Sequence, residues 1–407
     1  MRVSRVATVP GLLLALNGCQ KPAELPRFDS TATVADTAGN DRSMRAGDSV
    51  RHATTFRLEP AAGYTVLRLI TPAPRAGVGD DMAREFRVVL YPRDRPRPTV
   101  TDDLAKAVWI AIPAQRFAVN SYDAEAFLIA IGARDRLVAV GDTKSYDDVV
   151  RERVLRGEIG QLGVGYYRAP SLDVAVAAHP DALFIRMSEL KHGASLTRAL
   201  TLGLPAIPYF AEAEATYLGR AEWIKVFGAL TGRTAVADSI FRSIEARVDS
   251  LKVLAKTRPT RTVFWAYFEG ADRWVATVRG PVAQFLRDAN GNNLFEKAED
   301  NTLEETEKIG TEVMVRRAQN ADCWVAGDGW PEPVPVKVAS EFQAFQTGCM
   351  ALYNGRYNIK ADTWDWFQSG FVRPDLILRE VVKTLHPELV PDAWDYMRPY
   401  IAPAAVR

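Results

Sequence analysis

The sequence predicts an α/β protein of two lobes joined by a long helical segment, with a small antiparallel strand preface on the N-terminal side. Three observations carry this. Short apolar strand patterns alternate with helical patterns from residue 116 to 210 and again from 262 to 385, which is the pattern of parallel sheets covered on both faces. Residues 216–256 interrupt that alternation with continuous helical periodicity. Finally, Ser171-Leu-Asp173-Val-Ala-Val176 with Asp181-Ala182 is echoed, at a constant offset of 139, by Gly310-Thr-Glu312-Val-Met-Val315 with Asn320-Ala321. An acidic residue opens a helix in each copy and a strand follows.

The elements follow in chain order. Arg2 and Arg5 precede an uncharged stretch, Val6 to Gly18, centred on Leu12-Leu13-Leu14. This is a basic region and an apolar core too short for the roughly 20 residues that span a bilayer. It ends in Leu16-Asn17-Gly18-Cys19, which resembles a bacterial lipobox, so residues 1–18 are expected to be a lipoprotein signal peptide and Cys19 the lipidated N-terminus. Residues 19–55 are rich in Ala, Thr, Asp, Ser and Arg, with Phe28 as the only aromatic. Such a stretch buries too little apolar surface to offset its ordering and reads as a disordered tether.

Phe56–Leu58, Tyr64–Ile70 and Phe86–Tyr91 then read as the strand preface of a first lobe over 56–215. Arg116–Asn120, Leu137–Val140, Ala182–Ile185 and Ala206–Phe210 read as its strands. Helices are expected around Ala124–Ile131, Asp173–Ala178 and Leu196–Leu202. In the linker, 216–256, Thr216 caps the start. Trp223, Val226, Phe227 and Leu230 form one stripe before Gly232, and Val236, Ile240, Ile244, Val248 and Leu251 form a second. The second lobe, 257–407, reads as strands at Thr262–Tyr267, Cys323–Val325 and Met350–Tyr353. Its helices start near Val282, Glu312 and Val338, with the last over Pro374–Leu385.

Composition excludes several classes. Lys+Arg number 51 against 50 Asp+Glu, and removing Arg2 and Arg5 with the leader turns the net +1 into −1. A nucleic-acid binder would carry a basic stripe. With three Cys and no CxxC there is neither a disulfide scaffold nor a structural zinc pattern. Cys323 and Cys349 can form a disulfide in an oxidising compartment or remain two buried thiols. No P-loop, GxSxG elbow or HExxH helix occurs, and Gly163-Val-Gly165-Tyr-Tyr-Arg168 lacks the third Gly of a dinucleotide loop. His179 and His386 each precede a Pro, and of the four His only His192 reads as an exposed site residue. One His builds no multi-histidine metal centre, so no catalytic constellation or bare-ion site is expected.

Aromatics are the remaining signal. Seven of the nine Trp lie from residue 265 onward. Trp274, Trp330 and Trp364 fall among Asp, Gly and Thr in expected loops, as do Tyr122, Tyr146, Tyr166 and Tyr167 in the first lobe. With Arg168, Arg186, Arg273 and Arg356 they would suit a large, flat or anionic ligand beyond the strand ends.

Several stretches together resemble the periplasmic substrate-binding proteins, of the helical-linker class, that serve ABC importers of iron–siderophore complexes, haem and cobalamin. They are Leu218-Gly-Arg-Ala-Glu-Trp-Ile-Lys225, Asp362-Thr-Trp-Asp-Trp-Phe367, Gly370-Phe-Val-Arg-Pro-Asp-Leu-Ile-Leu378, Leu385-His-Pro-Glu-Leu389 and the Ser171–Ile185 element. The resemblance implies two Rossmann-like lobes on a rigid helical linker, ligand in the cleft and only small closing motions. It implies a monomer that is not an enzyme, with no cofactor of its own, iron entering only within a bound chelate. It implies an importer permease as partner, met by one carboxylate per lobe, here Asp173 and Glu312. An acid in a helix's first turn also stabilises the helix dipole by about 0.3–1 kcal/mol. The ligand candidates are positional: Tyr122, Tyr146, Arg168 and Arg186 on the first lobe, Arg273, Trp274, Trp330 and Arg356 on the second. A ferric siderophore is the first choice of cargo, with haem or a corrinoid next. The expected location is the periplasmic or cell-surface side, held to the membrane only through lipid on Cys19. An exported metal-centre enzyme and a ligand-free scaffold lipoprotein are the alternatives.

Overall fold

In the computed structural model the described residues are 50–72, 85–100, 102–187, 190–298, 305–327, 334–392 and 394–400. The expected leader, Cys19 and most of the tether lie outside them. The first strands are β1 (Phe56–Ala61), β2 (Tyr64–Ile70) and β3 (Glu85–Pro92), paired antiparallel as expected. A fourth strand, β4 (Val108–Ile112), joins parallel to β3, so the preface is a mixed sheet rather than a purely antiparallel one. Its Leu67, Leu69, Val88, Leu90 and Ile110 face the first-lobe core.

That lobe alternates β5 (Phe117–Val119), α1 (Tyr122–Ala130), β6 (Leu137–Val140), α2 (Asp148–Leu155), β7 (Gly160–Gln161), α3 (Leu172–Ala178), β8 (Ala182–Arg186), α4 (Leu190–Thr201) and β9 (Ala206–Tyr209). The sheet order β7-β6-β5-β8-β9 is parallel throughout. β8 is buried at every position, as a strand covered on both faces should be.

The linker is three helices rather than one or two: α5 (Tyr217–Glu222), α6 (Ile224–Thr231) and α7 (Thr234–Ala255). Thr216 caps α5 by accepting the Gly219 N–H at 2.9 Å. Gly232, at φ 72°, ends α6 in the left-handed conformation that glycine adopts most cheaply. At 22 residues, α7 is about 33 Å long. Its Ala237 and Phe241 belong to the first-lobe core, whereas Ile244, Val248, Leu251 and Ala255 belong to the second. Both ends of one helix are therefore embedded in packed cores, which makes it a strut.

The second lobe comprises β10 (Arg261–Gly270), β11 (Arg273–Thr277), α8 (Gly280–Asp288), β12 (Gly291–Asn293), β13 (Thr306–Gly310), α9 (Thr311–Ala318), β14 (Cys323–Ala326), α10 (Val336–Ala339), α11 (Gln343–Thr347), β15 (Met350–Leu352), β16 (Tyr357–Asn358), β17 (Thr363–Trp364), α12 (Ser369–Val372), α13 (Pro374–Leu385) and β18 (Arg398–Pro399). Parallel β10, β14 and β15 form its centre. The antiparallel extension β10-β11-β13 was not expected. The echoed helices hold: α3 leads to β8 and α9 to β14. Cys323 and Cys349 are joined as a disulfide, with Cα atoms 4.8 Å apart. No described helix is long and apolar enough to cross a membrane.

The tether expected to reach residue 55 is fixed from Val50 onward. The buried Glu222 carboxylate accepts the backbone N–H groups of Arg51, His52 and Ala53 at 2.7–2.9 Å. The equally buried Glu214 accepts those of Thr54 and Thr55, and Glu245 on α7 takes the His52 ring at 2.7 Å.

Candidate ligand cleft

An α/β fold leaves its crevice beyond the carboxyl ends of its strands; here Tyr146, after β6, meets Arg356, Asn358 and Gln368, after β15, and Tyr166, after β7, acts on Tyr267 of β10. On the first lobe the chain leaves β5 at Asn120, which is fully buried. Its Oδ1 accepts the Arg186 N–H and its carbonyl the Gly165 N–H, each at 2.8 Å. A Cβ on Gly165 would stand 2.8 Å from Asn120 Nδ2 and 2.9 Å from Arg186 Cβ, so this close approach requires glycine. The turn seated there presents Tyr166 and Tyr167, 62% and 74% exposed, with rings edge to face at 5.1 Å. The Arg186 guanidinium lies 5.0 Å from the Tyr166 ring and pairs with Glu212 at 2.8 Å.

Two buried acids stand behind this surface. Burial and the Glu212 charge push the Asp123 carboxyl up to about 6, although it accepts from Ser121 and Tyr209. Burial pushes Glu125 up to about 8; the Ser145 hydroxyl opposes this, and the Asp147 and Asp142 charges add to it. Tyr122 donates to Asp142 at 2.9 Å.

The second wall is aromatic. Tyr267, near the end of β10, has its phenol pushed up by burial, Glu269 and Tyr166 of the facing lobe. A Cβ on Gly327 would lie 3.2 Å from the Tyr267 Cβ and 3.3 Å from the Tyr353 ring, so both tyrosines pack against a residue without a side chain. Tyr353 packs against Trp366 at 5.4 Å and Phe367 at 6.1 Å, and Phe367 is 47% exposed. Arg356 pairs with Asp365 at 2.6 Å and Asp395 at 3.0 Å, with its guanidinium 4.5 Å from the Tyr396 ring and 5.9 Å from that of Tyr146.

The structure thus brings together Tyr122, Tyr146, Arg168, Arg186 and Arg356 from the expected set. Arg168 lies exposed beside a cavity of about 270 Å³ lined also by Gly141, Gln161, Gly163 and Ser171. Of the four arginines it is the one without an ion-pair partner among the described residues, since Arg273 also pairs, with Glu269 at 3.3 Å. Arg273 stands at the β10–β11 turn, 57% exposed. Trp274 is corrected: it lies in β11, not a loop, and is fully buried against Trp324, Phe268 and Phe342 with Nε1 donating to Thr311 at 3.1 Å. It is a core residue of the second lobe. His192 is likewise buried, not exposed. Trp330 lies outside the described residues. Asp173 and Glu312 are both exposed at the second residue of their helices, Glu312 with 91% of its side chain accessible. Among the described residues no group of three His, Cys, Asp or Glu is placed to hold a metal ion. Tyr267, Tyr353, Phe367 and Gln368 were missed; the Asp362–Phe367 motif was the nearest signal.

The comparisons agree with this architecture. The model of the periplasmic binding protein family matches residues 118–344. An uncharacterized lipoprotein of Methanocaldococcus jannaschii is 28% identical over 254 residues, 60% of this chain and 57% of that protein; this chain thus spans little more than half of that relative. A second uncharacterized lipoprotein of the same organism is 24% identical over 411 residues, 93% of each chain. Among solved structures, a periplasmic haem-binding protein from Pseudomonas aeruginosa shares the fold with a TM-score of 0.52 at 14% identity, covering 71% of this chain and 99% of that one.

Proposed function

The chain belongs to the periplasmic binding protein family, and from that premise we propose that it captures an iron complex between its lobes and hands it to the permease of an ABC importer. As a member of that family it is a binding protein and not an enzyme. The observation that carries the reading is the aromatic lining of both lobes, Tyr122, Tyr146, Tyr166 and Tyr167 on the first and Tyr267, Tyr353 and Phe367 on the second, with Tyr166 close enough to act on the Tyr267 phenol and Tyr146 beside Arg356. Flat or metal-chelating ligands gain most from such surfaces. A ferric siderophore is the first candidate. Haem or a corrinoid follows, and one observation favours these: Arg186, Arg273 and Arg356 already neutralise carboxylates, and of the four candidate arginines only Arg168 has no ion pair among the described residues. A polyanionic chelate would demand more positive charge than that. Titration of intrinsic tryptophan fluorescence with a ferric catecholate, haemin and cyanocobalamin separates the three.

Asp173 and Glu312 are the proposed permease contacts, being exposed acids at matching places on the two lobes. Asp173→Arg combined with Glu312→Arg abolishes permease binding and leaves cargo titration unchanged; retained permease binding would refute the assignment. Attachment to the outer face of the membrane through lipid on Cys19 belongs to the same proposal, supported by the sequence around Cys19 and by the lipoprotein relatives. Mass spectrometry of the mature N-terminus checks it.

A further inference from the structure

We propose that residues 354–368 of the second lobe form a clasp that holds the two lobes at a fixed separation through protein–protein contacts alone, with Gln368 as its key. This goes beyond the proposed function and holds whatever the cargo is. Gln368 lies between β17 and α12 and is 3% exposed. Its Oε1 accepts the Tyr146 N–H at 2.8 Å and its Nε2 donates to the Lys144 carbonyl at 3.0 Å. One side-chain amide thus pairs with a backbone donor and a backbone acceptor of the other lobe, as a neighbouring strand would. Hydrogen-bond geometry tolerates only a few tenths of an ångström, so both bonds form in one relative position of the lobes.

Three further contacts surround the key. Asn358 Nδ2 donates to the Tyr146 carbonyl and to Asp148, each at 3.1 Å. Its Oδ1 accepts the N–H groups of Lys360 and Ala361 at 3.0 and 3.2 Å, so the same side chain shapes the β16–β17 hairpin and docks it. Arg356, fixed by Asp365 and Asp395, brings its guanidinium within reach of both the Tyr396 ring of its own lobe and the Tyr146 ring of the other. At the solvent edge Lys144 meets Asp362 at 3.3 Å.

Each side of the clasp is rooted. On the first lobe, Ser145, between the two clasped residues, donates to the buried Glu125 of α1. On the second, Ser369, next to Gln368, bonds to Asp365 and to Tyr396, which belongs to the second-lobe core; α12 then reaches across, its Val372 buried within the first-lobe core. The lobes are therefore attached through α5–α7 and again through this strap. Opening the cleft must break the Gln368 and Asn358 bonds, and Tyr146 is positioned by the same bonds that close it. Gln368 is accordingly a positioning residue for the cleft wall.

Hydrogen exchange on the cargo-free protein tests this without reference to any ligand, so its failure is distinct from failure of the transport reading. In Gln368→Ala, exchange in 144–148 rises by about tenfold or more while the core strands of both lobes keep their protection, and small-angle scattering gives a larger radius of gyration. Asn358→Ala, at the partly exposed rim, gives a smaller rise in the same segment and serves if Gln368→Ala folds poorly. Unchanged exchange at 144–148 in a folded variant overturns the proposal. So does a uniform rise across both lobes, which would make Gln368 an ordinary packing residue.

Discussion

Replacing Glu125 by Gln should stabilise the protein, and by an amount that grows with pH. Glu125 is fully buried on α1 beside the Ser145 hydroxyl, with Asp147 and Asp142 nearby, and its carboxyl is pushed up to about 8 from an ordinary 4.5. A group raised on folding contributes most below its unfolded value, and that contribution is lost as pH rises toward the folded value. Each pH unit in that window costs about 1.4 kcal/mol, so the native state bears about 3 kcal/mol at pH 7. Gln is isosteric, carries no charge and can still accept from Ser145. The variant should therefore gain about 1–3 kcal/mol at pH 7, more at pH 8, and nothing near pH 4.5. Urea unfolding followed by fluorescence at these three pH values reads the difference as a shift in midpoint at unchanged slope. A variant that is destabilised, or whose difference from wild type is the same at every pH, would refute the argument.

Other perturbations follow from the same contacts. Trp274→Ala empties a fully buried site between Trp324, Phe268 and Phe342 and should cost about 3–5 kcal/mol, measured by denaturation, with cargo affinity unchanged in the folded fraction. Converting both Cys323 and Cys349 to Ala frees a loop of 26 residues' separation and should cost about 3–4 kcal/mol, a loss matched by mild reduction of the wild type. Burial pushes the Glu222 carboxyl up, but Lys225 and the three backbone N–H groups of residues 51–53 outweigh it and hold it below its ordinary value. Glu222→Gln should therefore lose about 1.5–3 kcal/mol at neutral pH. That difference shrinks as acidification below the ordinary 4.5 protonates the wild-type carboxylate, seen as converging melting temperatures.

The legible parts of the fold were those with local causes. Leu137–Val140 is a short apolar run that became β6, and Pro374 starts α13 where a proline costs least. The hairpin that buries Trp274 was not legible, because Thr306–Gly310 is mostly polar and is a strand only through pairing with β11. A Trp between Arg273 and Val275 after a Gly-Ala-Asp turn therefore looked like a loop residue. The grip on residues 51–55 was invisible for a different reason: its donors are mainly backbone N–H groups, which composition does not reveal. In the cleft, residue type pointed to Tyr146, Arg186 and Arg356. Which strand ends converge is a long-range matter, so Tyr267, Tyr353 and Phe367 escaped notice. The charges that neutralise the arginines, such as Glu212 on Arg186, became assignable only once the chain was folded.

On the proposed function, the interlobe cleft binds a metal complex on its two aromatic walls. Fluorescence titration of the folded protein with a ferric catecholate, haemin and cyanocobalamin tests it most directly, repeated on a Tyr166→Ala/Tyr353→Ala double variant. The wild type is expected to bind one of the three saturably, and the variant to lose that binding. Binding of none, or undiminished binding after both rings are removed, would contradict it.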